Sequence, residues 1–212
     1  IDLNSLYPSI LRSLNMSTET IVGQVRHTFT DPMIEEHNGE IARAWEGKFA
    51  AKEYDLVMAK DEVETLIIDF EDGSNVRATG AEAYKLIFEN NQPWLITANG
   101  TIFTYAKRGI VPGLLERWYE ERKEIRTKAF KSRQEGDNER FEYWDKRQLV
   151  KKINLNSLYG ALLNPGSRFF DARLGQSTTL TGRCIAKHMA GKLNEVIAGT
   201  YDHTGDAIVY GD

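Results

Sequence analysis

The sequence predicts an α+β chain in which strand-like runs and short helices flank two long helices folded back on each other. Three observations predict it: short apolar runs beside Asp-Gly and Asn-Gly turn signals, helical spacing of apolar residues on either side of Gly136, and a polar break between those two stretches. With 212 residues, 41% hydrophobic and 27% charged, the chain has globular composition and enough length for one good-sized domain or two small ones. A single cysteine, Cys184, excludes an internal disulfide and sets a reducing environment as the expectation. Apolar runs such as residues 207–210 are far shorter than the roughly 18–20 residues a membrane span needs, so no membrane partner is expected. The chain opens at Ile1 on an apolar run and stops at Asp212 directly after one; both ends are expected to be cuts through a longer protein.

Taken in order, Ile1-Asp2-Leu3 reads as the end of a buried strand, and Pro8 suits the first turn of a helix whose apolar face is Ile10, Leu11 and Leu14. Residues 18–107 carry mixed signals: acidic stretches, a turn at 72–75, a helix around 81–89, and Asn99-Gly100 ahead of the run 101–105. That region reads as an elaborated insert. Pro112 starts the clearest feature, a helix to about Arg133 with Leu114, Leu115, Trp118, Ile125 and Ala129 near helical spacing. Residues 134–138 break it, and a second helix over 139–159 carries Phe141, Trp144, Leu149, Ile153 and Leu158. A short polar turn between long helices makes an antiparallel hairpin, in which Trp118 and Trp144 are expected to pack together. Past Pro165, a helix over 179–196 leads through a turn at 202–205 to a strand at 207–210.

The formal charge is −4, which on its face speaks against a nucleic-acid partner, but the average conceals segregation. Residues 31–75 hold 13 acidic and 4 basic side chains, whereas residues 105–152 hold 14 basic and 9 acidic. Within the hairpin, Arg122 and Lys152 each lie 15 residues from Asp137, which predicts equal heights. Arg122 and Arg126 share one face; Lys152, Asn156 and Tyr159 share another at i, i+4 and i+7. Faces turned the same way would form a cationic wall suited to a triphosphate, with guanidinium groups gripping phosphate oxygens and lysine acting as a point charge. A merely solvated basic stripe has no need for Asn156-Ser157-Leu158-Tyr159-Gly160 at its end, where asparagine and glycine weaken a helix and glycine admits a close neighbour.

Residues 152–160, Lys-x-x-x-Asn-Ser-Leu-Tyr-Gly, resemble the second motif of family B DNA polymerases. The first motif of that family is matched by Asp2-Leu3-Asn4-Ser5-Leu6-Tyr7-Pro8-Ser9, and the third, Tyr-Gly-Asp-Thr-Asp-Ser, by Tyr210-Gly211-Asp212. Residues 98–126 and Phe169-Phe170-Asp171 also resemble the T-even phage branch, so the likeness runs end to end and is weakest over 31–85. The resemblance implies a palm built on an antiparallel sheet, residues 1–108 and 165–212, interrupted by a two-helix antiparallel fingers hairpin, residues 109–164.

It further implies viral, template-directed DNA synthesis, in which a primer 3′-hydroxyl attacks the α-phosphate of a dNTP with two Mg²⁺ ions at the site. Asp2, the Leu3 carbonyl and Asp212 match the metal-binding positions, and Asp2, Asp212 and Lys152 the catalytic ones. Ser5 and Leu6 would offer N–H groups to the triphosphate, and Tyr7 would pack under the sugar and exclude a 2′-hydroxyl. Arg122, Arg126, Lys152 and Asn156 match phosphate-contacting positions, although Arg126 stands where the family more often has lysine, a change of geometry at constant charge. Ser157, Tyr159 and Gly160 match positions lining the nascent base pair. Primer–template DNA and dNTP are the implied partners, with a sliding clamp for the parent protein and the cytoplasm of a phage-infected bacterium as the setting. The family motif continues Thr-Asp-Ser past the position of Asp212, so the 212 residues alone are expected to be inactive.

A rival expectation is a non-catalytic nucleotide- or DNA-binding module derived from such an enzyme. Cys184 reads as a small buried residue, and His27, His37, His188 and His203 lack metal-ligand spacing. Ser157 lacks the Gly-x-Ser-x-Gly setting of a hydrolase nucleophile.

Overall fold

The computed structural model describes residues 5–28 and 52–204. The strands expected at 1–3 and 207–210, with Asp2, Leu3 and Asp212, lie outside the described residues, as does much of the acidic segment. Helix α1 spans Leu6–Ser13, entered through Ser5 at φ 54° and left through Asn15 at φ 51°. Both are left-handed backbone positions, uncommon outside glycine and, of the two, better suited to asparagine than to serine. A single 3₁₀ turn, Thr18–Thr20, leads into strand β1, Ile21–His27. There follow helix α2 (Lys52–Met58), strands β2 (Glu64–Phe70) and β3 (Asn75–Thr79), and helix α3 (Gly80–Tyr84) running on as a π turn over Lys85–Glu89. Strands β4 (Trp94–Ile96) and β5 (Thr101–Thr104) precede three long helices, α4 (Ile110–Gln134), α5 (Asn138–Leu162) and α6 (Ala172–Ala198).

The five strands form one antiparallel sheet in the order β3-β2-β1-β5-β4, with Val25 opposite Ile68 and Leu95 opposite Phe103. The turn at 72–75 closes β2 on β3: Gly73 takes φ 85°, and the Asp72 carboxylate accepts the Ser74 N–H at 2.9 Å. The whole described sheet is built from residues 21–104, inside the region read from sequence as an elaborated insert. Strand alternation was hidden there because β1 is buried along most of its length, polar Gln24 and Arg26 included, while the centre of β2, Leu66-Ile67-Ile68, is apolar throughout.

Two apolar cores flank the sheet. One gathers Val25, Leu66, Ile68 and Ile102 against Val57 of α2 and Ala83 and Ile87 after β3. The other joins Ile10 and Leu11 of α1 with Ile21, Phe103, Leu115 of α4, Leu155 and Leu162 of α5, and Leu174 of α6. This second core fixes the root of the hairpin to α1, and so decides where the functional side chains point.

In the hairpin, Gly136 turns the chain at φ 74° and Asp137 caps α5 by accepting the Arg140 N–H at 3.0 Å. Trp118 and Trp144 take separate places, contrary to expectation. Trp118 packs on the second core, while Trp144 meets Tyr143 edge-on at 4.9 Å and lies beneath the Lys128 ammonium, also at 4.9 Å. Trp144 is about two helical turns from the hairpin tip and Trp118 about five, so antiparallel pairing cannot bring them together. Helix α6 starts at Ala172, ahead of the expected 179, with Asp171 accepting the Arg173 N–H at 2.8 Å and the Arg173 guanidinium bridging Asp171 and Glu71. Cys184 is half-buried rather than fully buried, beside Tyr54 of α2. Among the described residues no helix is long and apolar enough to cross a membrane.

Candidate active site

Tyr7 on α1 and Tyr159 on α5 meet ring to ring, centroids 4.7 Å apart and planes at 48°. Each is placed by the residues around it. Pro8, Ile10 and Leu11 bury the core side of α1 and leave Tyr7 37% exposed at its first turn. On α5, Leu155 and Leu162 are buried in the second core, which turns Tyr159 toward α1. Burial, then the neighbouring Tyr7, raise the Tyr159 phenol above its ordinary value against the opposing pull of Thr179, so it stays protonated at neutral pH. Ser5 precedes α1, and the first-turn N–H groups that follow it have no acceptor within the helix, as at every helix start.

From this pair the charged stripe runs up the hairpin. Arg122 is 9% exposed, and its Nε donates to Gln148 Oε1 at 3.3 Å across to α5. Burial, then the nearby Arg126, lower its guanidinium from the ordinary value, which still leaves it cationic. Arg126 is exposed and lines, with Tyr119, Arg122, Lys123, Thr127 and Phe130, a groove of ≈ 350 Å³. A second groove of ≈ 300 Å³ shares Arg122 and Arg126 and reaches Asp145 and Gln148 of α5.

Lys152, Asn156, Ser157 and Gly160 are exposed on α5, and a Cβ at Gly160 would meet nothing within 4 Å. Arg122 stands across from Gln148, and the neighbouring Lys151 pairs with Glu121, so Lys152 is not level with Arg122 as the count predicted. It lies a helical turn beyond Gln148, closer to the tyrosine pair. The count took Asp137 as the midpoint, whereas the observed pairings centre slightly before it. Tyr7, Tyr159, Lys152 and Asn156 thus occupy the root, with Arg122 and Arg126 above them. Among the described residues no group of three or more His, Cys, Asp or Glu could hold a metal ion.

Three residues unmarked by the sequence reading hold the hairpin root in place. The amide groups that open α4 find their acceptors in the segment after α1: Gly109 N–H donates to Asn15 Oδ1 at 3.0 Å, Ile110 N–H to Glu19 Oε1 at 2.6 Å, and Val111 N–H to Ser17 Oγ at 3.4 Å. Asn15 Nδ2 donates to the carbonyls of Thr104 and Lys107, each at 2.8 Å. Burial opposes the Glu19 charge, but the Ile110 N–H and the Ser17 hydroxyl outweigh it and hold the carboxyl below its ordinary range. No local signal marks these caps, since their partners lie about ninety residues away in the chain.

The family model described as DNA polymerase family B matches residues 1–212. The chain is 27% identical over 220 residues to the DNA-directed DNA polymerase of Enterobacteria phage T4, covering 100% of this chain and 24% of that protein. It is 28% identical over 214 residues to the DNA polymerase of Paramecium bursaria Chlorella virus NY2A, covering 100% of this chain and 17% of that protein. To the DNA-directed DNA polymerase of Escherichia phage RB69 it is 26% identical over 228 residues, covering 100% and 23%. The chain therefore spans about a quarter or less of the length of these curated relatives. In fold it is similar to the family B DNA polymerase of the hyperthermophilic archaeon Pyrobaculum calidifontis, with a TM-score of 0.50 at 20% identity over 93% of this chain and 17% of that one.

Proposed function

The chain belongs to DNA polymerase family B, and on that premise we propose that it carries the nucleotide-binding half of a polymerase active site, which adds deoxyribonucleotides to a primer 3′-hydroxyl under direction of a template in viral DNA replication. The observation that carries this reading is the meeting of Tyr7 and Tyr159, distant in sequence, at the foot of a cationic helical stripe. Residues 1–108 and 165–212 act as the palm and 109–164 as the fingers.

The Tyr7 ring closes the floor beneath the sugar, so that a 2′-hydroxyl finds no room. Tyr159, with Ser157 and Gly160 beside it, lines the nascent base pair, where shape rather than base identity is read. Arg122, Lys152 and Asn156 bind the triphosphate from the hairpin side; Ser5 and Leu6 offer backbone N–H groups from the α1 side. Arg126 adds charge at the outer edge. Lys152 is the group placed to give a proton to the departing pyrophosphate oxygen.

Asp2, the Leu3 carbonyl and Asp212 are oxygen donors only, the set Mg²⁺ prefers, and would hold two such ions, which when bound activate the primer hydroxyl and stabilise the leaving oxygens. The duplex would be primer–template DNA, the setting the cytoplasm of a bacterial host of a T-even-type phage, and a sliding clamp the accessory partner. In the full-length protein, Asp2→Asn should abolish nearly all primer extension while DNA binding, followed by mobility shift, stays near wild type. Near-normal extension by that variant would refute the metal role and the polymerase reading with it.

A further inference from the structure

Helix α6 passes behind the tyrosine pair and approaches both rings with adjacent turns of one face. The Thr179 hydroxyl, which donates to the Gly175 carbonyl at 3.0 Å within the helix, lies on the side of α6 that faces Tyr159. Three residues on, Gly182 faces Tyr7: a Cβ built there would stand 3.3 Å from Tyr7 Cε1, 3.4 Å from Ile10 Cδ1 and 3.8 Å from Leu6 Cδ2. The first separation is tighter than ordinary van der Waals contact, so a methyl there would displace the part-exposed Tyr7 ring by a few tenths of an ångström, while Ile10 stands at the limit of ordinary contact. Ile10 is a buried member of the second core, and the Tyr7 ring already rests against Tyr159.

Backbone geometry gives no reason for a glycine at this position. The described glycines with positive φ are Gly73, Gly100, Gly136 and Gly199, whereas Gly182 lies inside α6, where glycine weakens a helix relative to alanine. What the missing side chain provides is the close approach of α1. We propose that Gly182 is a positioning residue for sugar selection. By carrying no Cβ it sets the height at which the Tyr7 ring stands beneath the nucleotide sugar, while the Tyr159 ring against which Tyr7 rests is the opposite stop. This rests on the reading that Tyr7 meets the sugar.

The test is single-nucleotide incorporation by the full-length protein on a primer–template, with dNTP and the matching NTP as competing substrates, for wild type, Gly182→Ala, Tyr7→Ala and the double variant. A methyl at 182 pushes the ring toward the sugar. Gly182→Ala should therefore raise the dNTP KM about threefold or more, change kcat less than about twofold, and leave Tm unchanged or higher. Tyr7→Ala should lower the preference for dNTP over NTP about tenfold or more, and in that background the added methyl should leave KM where it was, because the ring it acts through is gone. An unchanged KM in Gly182→Ala, a KM rise accompanied by a fall in Tm, or an equal rise in the Tyr7→Ala background would overturn the role of Gly182 while the sugar-gate reading stands. An unaltered sugar preference in Tyr7→Ala would overturn both.

Discussion

Replacing Asn15 by alanine removes, in one step, three hydrogen bonds that fasten the hairpin root to the rest of the fold. Its Nδ2 donates to the Thr104 and Lys107 carbonyls, each at 2.8 Å, and its Oδ1 accepts the Gly109 N–H at 3.0 Å, from a side chain buried at 4% exposure. Leaving a buried polar group unpaired costs about 1–3 kcal/mol, and with water reaching part of the site the three together amount to roughly 2–4 kcal/mol. Alanine at φ 51° adds about 1 kcal/mol of backbone strain. The expected loss is thus about 3–5 kcal/mol, read as a lower urea midpoint at unchanged m-value. Asn15→Gly separates the two contributions, since glycine takes positive φ freely and forfeits only the hydrogen bonds. A loss under about 1 kcal/mol for Asn15→Ala would refute the claim that this side chain fastens the root, because no arrangement of water replaces three such bonds at so little cost.

Two further outcomes follow from the same geometry. The Glu19 carboxyl is held below its ordinary value of 4.5, so its contribution is fully present above that value and is lost as pH falls through the depressed one. Glu19→Gln, which keeps an acceptor for the Ile110 N–H and loses the charge, should be less stable than wild type at about pH 6, with the gap closing as pH falls through the depressed value; a gap independent of pH would show that the charge contributes nothing. Gly160 lies in α5 with open space around it, so Gly160→Ala should stabilise the fold by about 0.5–1 kcal/mol in urea titration, yet slow nucleotide incorporation if a base pair presses on that face. Full incorporation at raised stability would mean that nothing approaches there.

The hairpin was legible because a helix writes its burial at a period of 3.6 residues, and α4 and α5 are long enough for several repeats on either side of Gly136. The sheet was not, because β1 and β2 are central, β1 buried along most of its length and β2 apolar through its centre, which erases the alternation that marks a strand. Site residues on the hairpin could be named from spacing, but their levels could not be set to better than one turn without the turn geometry at 135–137, hence the offset between Arg122 and Lys152. The meeting of Tyr7 and Tyr159 is tertiary, and nothing local announces it. Asn15 is similarly silent, a polar residue at a helix end whose three partners all lie beyond residue 100.

The late start assigned to α6 has the most instructive cause. Its first turns hold Gly175, Ser177 and Thr178, all weaker helix formers than alanine or leucine, and propensity argues for a loop. Each is there for a neighbour. Ser177 donates to Asn99 Oδ1 at 2.8 Å and accepts from Thr97 at 3.1 Å, tying the helix to the β4–β5 turn. Thr178 returns its hydroxyl to the Leu174 carbonyl at 2.7 Å and faces Met16 inside the core, while the absent side chain of Gly175 admits Leu163. Small and hydroxyl side chains let α6 lie close against the sheet and α1, at some cost in helix propensity that packing recovers. The same closeness, continued along the helix, brings Gly182 against Tyr7. A bulkier, more strongly helix-forming segment would make a better isolated helix and would hold the tyrosine pair in a different place.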